Sequence, residues 1–178
     1  WKVKNVKGAI EVIQHTGKER LKVLGGTRLN LKMGFRFTPS TKVRFYGMVG
    51  GPKKIELISG SKGLIFPVTW HEPFGLAIIE SLFYGCPVFG TPYGSLPELV
   101  TPEVGFLSNK AAVLAGAVEN SAGFSRKKSH DYAVENFSAR TMVQSYLPLY
   151  EKVLNGEALN SRTPRLQSGQ VGNLDWTS

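Results

Sequence analysis

The chain is poor in the residues that build cross-links and metal sites. It has one cysteine, Cys86, in 178 residues. No disulfide can close within it, and a reducing compartment is the simpler expectation. Its three histidines, His15, His71 and His130, stand far apart. They do not form the ligand spacing of a zinc site, so no metal is expected. Long apolar runs are lacking as well. The longest stretch without a charged residue, Ser81 to Pro97, is interrupted by three prolines and three glycines. That excludes it as a membrane-spanning helix. Trp1-Lys2-Val3-Lys4 has no apolar run behind it, so no secretory signal is expected and the expected location is cytoplasmic. No internal repeat and no nucleic-acid motif stand out. The aromatics do not interleave with basic residues as in a stacking platform, so nucleic acid is not an expected partner.

Acidic residues are few, 13 against 22 lysines and arginines, and the net charge is +9. The excess is uneven. Residues 1–62 carry 14 basic and 3 acidic residues, whereas residues 63–110 carry 1 and 4. A basic first third fits an anionic ligand, or peripheral contact with an anionic membrane surface; a merely solvated basic face fits equally. Hydrophobic residues make up 42% of the chain and charged residues 20%. That is a globular composition, and the length suits one ordinary domain.

Short apolar runs alternate with helical patterns. Leu21–Leu24, Val43–Tyr46, Leu64–Phe66, Pro87–Phe89 and Gly105–Leu107 read as strands bounded by glycine or proline. Ala9–His15, Pro52–Ser59, Gly75–Tyr84, Lys110–Asn120, Ser125–Asn136 and Ser138–Asn155 read as helices. Ser138 is placed to cap the last helix, and Gly156 to stop it. This alternation predicts an α/β, Rossmann-like parallel sheet with helices on both faces. The stretch from Gly26 to Lys42 reads as an irregular basic loop. Residues 1–156 form the expected domain, and residues 157–178 a polar tail that is mobile or draped over the surface. A doubly wound domain opens with a strand, but residues 1–7 are polar and lead into a helix. The first strand is therefore expected upstream, in a longer protein.

The chemistry concentrates between Phe66 and Val100. A strand runs out into Thr69-Trp70-His71-Glu72, and Pro73-Phe74-Gly75 opens a helix. Ligands of open α/β sheets bind at the carboxyl ends of strands. A helix start offers free N–H groups to an anion, and a glycine there admits a close approach. Glu80 lies among Ala77, Ile78, Ile79 and Leu82; it is either a buried carboxylate in need of donors or the wet stripe of its helix. Glu72 is either a site acid or a capping acid near the positive helix end. Gly94-Ser95-Leu96-Pro97-Glu98 would put a second helix start, with more free amides, beside the first, or is an ordinary strand-to-helix loop. Trp70 could cover a ligand or simply pack, and His71 could act as acid or base. Gly47 and Met48, at another strand end, could touch a ligand through the backbone. Cys86 reads as buried and inert.

These residues carry a resemblance. Glu72 and Glu80, with seven residues between them, resemble the Glu-x7-Glu motif of retaining glycosyltransferases of the GT-B fold, family 4 (glycosyl transferases group 1). Gly85-Cys86-Pro87-Val88 resembles that family's Gly-x-Pro-Val strand entry. Gly94-Ser95-Leu96-Pro97-Glu98 resembles its Gly-Gly-x-Pro-Glu turn, and Lys7-Gly8 its Lys-Gly before an apolar helix. Tyr146-Leu147-Pro148-Leu149-Tyr150 resembles its final helix. The likeness runs from about Lys7 to Leu154.

The resemblance implies the C-terminal, donor-binding half of a GT-B enzyme. It implies a nucleotide-diphosphate sugar as donor, with a UDP-sugar favoured over GDP- or ADP-sugars, and no cofactor or metal. Glu72 would face the sugar hydroxyls. Phe74, Gly75 and Leu76 would supply backbone to sugar and phosphate, with Gly94 and Ser95 beside them. Glu80 would take the ribose, and Lys7 would neutralise the departing phosphate. A hexosyl group would pass, with retention, to a glycan or lipid-linked acceptor on the missing N-terminal domain, so this chain alone should transfer little. The chain departs from the family at the arginine that usually precedes the lysine. Only Lys2 and Lys4 stand near that place, and neither can reproduce a guanidinium fork. The second glycine of the Gly-Gly turn is Ser95. The alternatives are a non-catalytic nucleotide-binding module and a nucleotide-sugar epimerase of the same general fold.

Overall fold

Val88 and Phe89 are consecutive in one strand and point into two different cores. The computed structural model describes residues 2–25, 29–30, 36–37, 39–163 and 172–178. Parallel pairing joins β5 (Leu64–Phe66), β6 (Val88–Gly90) and β7 (Gly105–Leu107) in that order. The register sets Leu64 against Val88 and Val88 against Gly105. β6 has a neighbour on each side and is buried throughout, which is why it reads as an unbroken apolar run.

Side chains alternate across the sheet. Val88 joins Ile78 and Leu82 of α3 (Leu76–Phe83), Leu96 and Leu99 of α4 (Leu96–Leu99) and Ala133 of α6 (Arg126–Phe137). Phe89 faces the other way, onto Val12 of α1 (Val6–His15) and Leu114 and Ala115 of α5 (Ala111–Glu119). The layers are therefore helix, sheet, helix, as the alternation predicts.

The remaining parallel pair stands apart. β1 (Leu21–Val23) pairs with β4 (Val43–Phe45) in a separate two-stranded sheet. α2 (Gly51–Ser59) follows β4 with Pro52 in its first turn. Within the stretch expected to be irregular, β2 (Leu29–Asn30) and β3 (Arg36–Phe37) form a short antiparallel ladder. Gly26 and most of that basic loop lie outside the described residues, as does Trp1.

α1 starts earlier than expected. Asn5 caps it, its side chain accepting from Gly8 N–H at 3.0 Å, so Lys7 and Gly8 lie inside the first turn rather than before it. Ser125 and Ser138 cap α6 and α7 (Ala139–Leu154). α7 packs on α6 and buries none of its residues; Tyr146, Leu147 and Tyr150 are all more than half exposed. Among the described residues no helix is long and apolar enough to cross a membrane.

Residues 172–178 return to the domain. Leu174 N–H donates to Thr69 O at 2.8 Å, Tyr93 Oη to Asp175 O at 2.7 Å, and Thr177 N–H to Asn109 O at 2.9 Å. The segment thus crosses the carboxyl ends of β5, β6 and β7 in turn. Residues 164–171 of the polar tail lie outside the described residues.

Candidate functional site

The turns after β5 and β6 are built as one ledge. Thr91 Oγ1 donates to Val68 O at 2.6 Å and ties the two strand ends together. Ser95 N–H donates to Glu72 O at 2.9 Å, and Ser95 Oγ to Phe74 O at 2.8 Å. Gly94 has φ +63, and a Cβ there would stand 2.3 Å from Glu72 N and 2.4 Å from Glu72 O. Only glycine fits so close a backbone approach at that φ.

Gly75 caps α3 at φ +89, a left-handed turn that aims the start of this helix at the same ledge. The free amides of its first turn face the carboxyl end of the sheet.

Glu72 is buried, with 8% of its surface exposed. Its Oε2 accepts from Lys4 Nζ at 2.5 Å and from Trp70 Nε1 at 2.9 Å. A buried carboxylate without such donors would be costly. Lys4 Nζ also lies over the rings of Phe66 and Trp70, 5.2 and 5.1 Å from their centroids. Trp70 thus holds the Glu72 carboxylate through its indole N–H. His71 is exposed beside it.

Glu80 resolves the two readings of its helix position. It is half-buried and pairs with Lys54 of α2 at 2.7 Å. Phe74 is 43% exposed and meets Phe137 edge to face, and Leu76 is 78% exposed. Gly47 and Met48 follow β4 on the separate two-stranded sheet. Gly47 O accepts from Gly25 N–H at 2.6 Å, and Met48 is 90% exposed.

Lys7 is not drawn to Glu72. Its side chain is 79% exposed and pairs with Glu11 at 3.3 Å, one helical turn on. Glu11 is held from outside too. Its Oε2 accepts from Trp176 Nε1 at 2.7 Å and from Ser178 Oγ at 3.1 Å. Burial pushes the Glu11 carboxyl up, but these hydrogen bonds and Lys7 outweigh it and hold the group below the usual range. Burial raises the Cys86 thiol, with Arg126 opposing, so it stays a buried protonated thiol.

The structure thus gathers Trp70, Glu72, Phe74, Gly75, Gly94 and Ser95, and adds Lys4. It sets Lys7 in a separate ion pair. Lys4, Lys54 and Trp176 were not foreseen as partners. Lys4 stands out in the sequence only as a poor stand-in for an arginine, and nothing in the sequence pairs Lys54 with Glu80.

The family of glycosyl transferases group 1 matches residues 2–121. The chain belongs to that family. A protein of Klebsiella pneumoniae described as an uncharacterized 41.2 kDa protein in the cps region is 28% identical over 116 residues, 61% of this chain and 32% of its own length. Among solved structures, AviGT4, a glycosyltransferase involved in avilamycin A biosynthesis, superposes with a TM-score of 0.72 at 22% identity, over 88% of this chain and 49% of that one. Sucrose-phosphate synthase from Thermosynechococcus elongatus gives 0.71 at 18%, over 88% and 44%. Anabaena HepE in complex with UDP-glucose gives 0.69 at 17%, over 85% and 46%. At these identities the likeness shows the fold, an open α/β unit matching the C-terminal half of GT-B glycosyltransferases. The chain spans about half the length of these solved structures.

Proposed function

We propose that the chain is the donor-binding half of a retaining, family 4 glycosyltransferase. It would pass a hexosyl group from a nucleotide-diphosphate sugar, a UDP-sugar by preference, to a glycan or lipid-linked acceptor held by the other half of the protein. The observation that carries this reading is the ledge. A buried carboxylate, a left-handed glycine at a helix start and a glycine pressed on the carboxylate's own backbone converge at the carboxyl ends of β5 and β6. Such a site suits a ligand with both hydroxyls and phosphate. HepE, of like fold, is known with UDP and with UDP-glucose.

In this reading the sugar hydroxyls share the Glu72 carboxylate with Lys4 and Trp70. The amides of Gly75 and Leu76 meet the diphosphate, flanked by Gly94 and Ser95. The Glu80 carboxylate takes the ribose hydroxyls in place of Lys54. Lys7 supplies positive charge as the nucleotide leaves, which is electrostatic help rather than proton transfer. No metal or cofactor is invoked. The work would be cytoplasmic, in polysaccharide or glycolipid synthesis, with the basic first third turned to an anionic membrane surface.

Calorimetric titration with UDP, GDP, ADP and their sugar conjugates tests the reading, on this chain and on the full-length protein. Selective binding of UDP and one UDP-sugar is expected. Absence of binding to both proteins overturns it. Proton NMR of the product of the full-length enzyme reads the anomeric configuration, and inversion would remove the retaining assignment.

A further inference from the structure

We infer that residues 172–178 are an autoinhibitory strap: docked, they fill space that the donor's diphosphate needs, and the donor must displace them. The inference rests on the donor-site reading above. Ligands of open α/β sheets bind in the crevice outside the carboxyl ends of the strands. Along β5, β6 and β7 that crevice already holds the strap. Leu174 N–H donates to Thr69 O after β5, and the Tyr93 hydroxyl donates to Asp175 O after β6. After β7, Thr177 N–H donates to Asn109 O and Thr177 O accepts from Ala111 N–H.

The strap joins the groups that would share the phosphates. Trp176 covers Gly8, where a Cβ would stand 2.8 Å from its Cε2. Asp175, one residue earlier, takes the hydroxyl of Tyr93. Two consecutive strap residues thus bridge the neighbours of Lys7 and Gly94, the lysine and the glycine turn assigned to one diphosphate. A phosphate held by both must enter where Asp175 and Trp176 sit.

Charge sets the direction of the coupling. Asp175 is exposed and is the one charged residue between 172 and 178. A diphosphate arriving beside it meets like charge, so docking of the strap and binding of the donor oppose each other. The docked strap also goes with a Lys7 held elsewhere. Trp176 Nε1 and Ser178 Oγ hold Glu11 Oε2, while Glu11 Oε1 keeps Lys7 Nζ at 3.3 Å. Burial works against the Glu11 charge, but these donors and Lys7 outweigh it. Glu11 therefore stays an anion on which Lys7 can rest.

The dock is weak enough to yield. Gly172, Asn173, Asp175, Thr177 and Ser178 are exposed, and Leu174 and Trp176 are only half-buried. A few hydrogen bonds and one indole, set against the entropy of fixing the whole segment, leave little net stability. Mutually exclusive occupancy then reads out as affinity. A strap docked about nine-tenths of the time lowers the apparent affinity of the donor about tenfold.

Calorimetric titration of the full-length protein with UDP tests the proposal, on wild type, Trp176→Ala and Leu174→Pro. Leu174→Pro removes the amide that binds Thr69 O. Trp176 also packs on the core around Val12 and Leu114, whereas Leu174 belongs to neither core cluster. Leu174→Pro therefore decides the matter if Trp176→Ala fails to fold. Both variants should bind UDP about tenfold more tightly than wild type. A segment that merely braces the site would give weaker binding in both, and that result, like unchanged affinity, overturns the proposal. Hydrogen exchange gives a second readout. Saturating UDP should speed exchange of the Leu174 and Thr177 amides in wild type. Slower exchange would make the segment a lid that closes on its ligand, and overturns the proposal too. UDP binding that ignores the strap leaves the donor site standing and removes the strap alone. No binding by any of the three proteins removes both.

Discussion

Lys4 and Glu72, 68 positions apart, meet at 2.5 Å on a carboxylate that is almost wholly buried. The same ammonium covers Phe66 and Trp70. One lysine thus neutralises the central acid of the ledge and closes the aromatic rings around it. Removing it should leave a buried, half-neutralised charge. Lys4→Met should cost about 1–3 kcal/mol in urea unfolding, toward the lower end because Lys4 is itself 37% exposed. Adding Glu72→Gln to Lys4→Met should recover part of that loss. A double variant no more stable than Lys4→Met would show that the pair contributes little.

Glu72 and Glu80 should separate in their ligand effects. Glu72→Gln should weaken a UDP-sugar about tenfold or more while leaving UDP itself nearly unchanged. Glu80→Gln should weaken both alike, by about 1.4 kcal/mol per tenfold. Circular dichroism confirms that each variant folds. The reverse pattern would exchange the sugar and ribose assignments.

Gly94 admits no side chain. Its left-handed φ alone costs an alanine about 1–2 kcal/mol, and the added methyl would press on the backbone of Glu72. Gly94→Ala should lower stability by more than this φ cost and open the ledge, seen as faster exchange of the Ser95 amide. Gly116, with nothing within 4 Å of a Cβ, is the control. Gly116→Ala lies inside α5 and should be neutral to stabilising.

The returning segment is anchored through Glu11, and the anchor should titrate. The folded-state carboxyl is held low, so it contributes stability above the ordinary glutamate range. That contribution fades as pH falls from about 4.3 toward the lower folded value. Trp176→Phe removes the indole donor. The Tm difference between wild type and Trp176→Phe should be full near pH 6 and shrink in acid. A difference independent of pH would mean that Trp176 acts by packing against the core around Val12 and Leu114 alone.

Much of the local structure was legible. β5 and β7 fall on the predicted residues, and the caps at Ser125 and Ser138 are as the serines indicated. Such features depend on neighbours within a few positions, through periodicity, side-chain caps and glycine stops. α4, Leu96–Leu99 with Pro97 inside, was legible only as a helix start after Gly94, because four residues are too short to show a period. The ledge was half legible. Gly75, Gly94 and the two glutamates stood out as a pattern, but their partners did not.

The sequence by itself determined the alternation of strands and helices, the acids, and the glycines at which backbone could come close. Only the tertiary structure decided that Glu72 is met by Lys4, that Glu80 leans on Lys54, and that the tail recrosses the strand ends. The reason is that these contacts join residues far apart in sequence. The tail is further hidden because it is held largely by backbone groups, Leu174 N–H to Thr69 O and Thr177 N–H to Asn109 O, which every residue but proline carries.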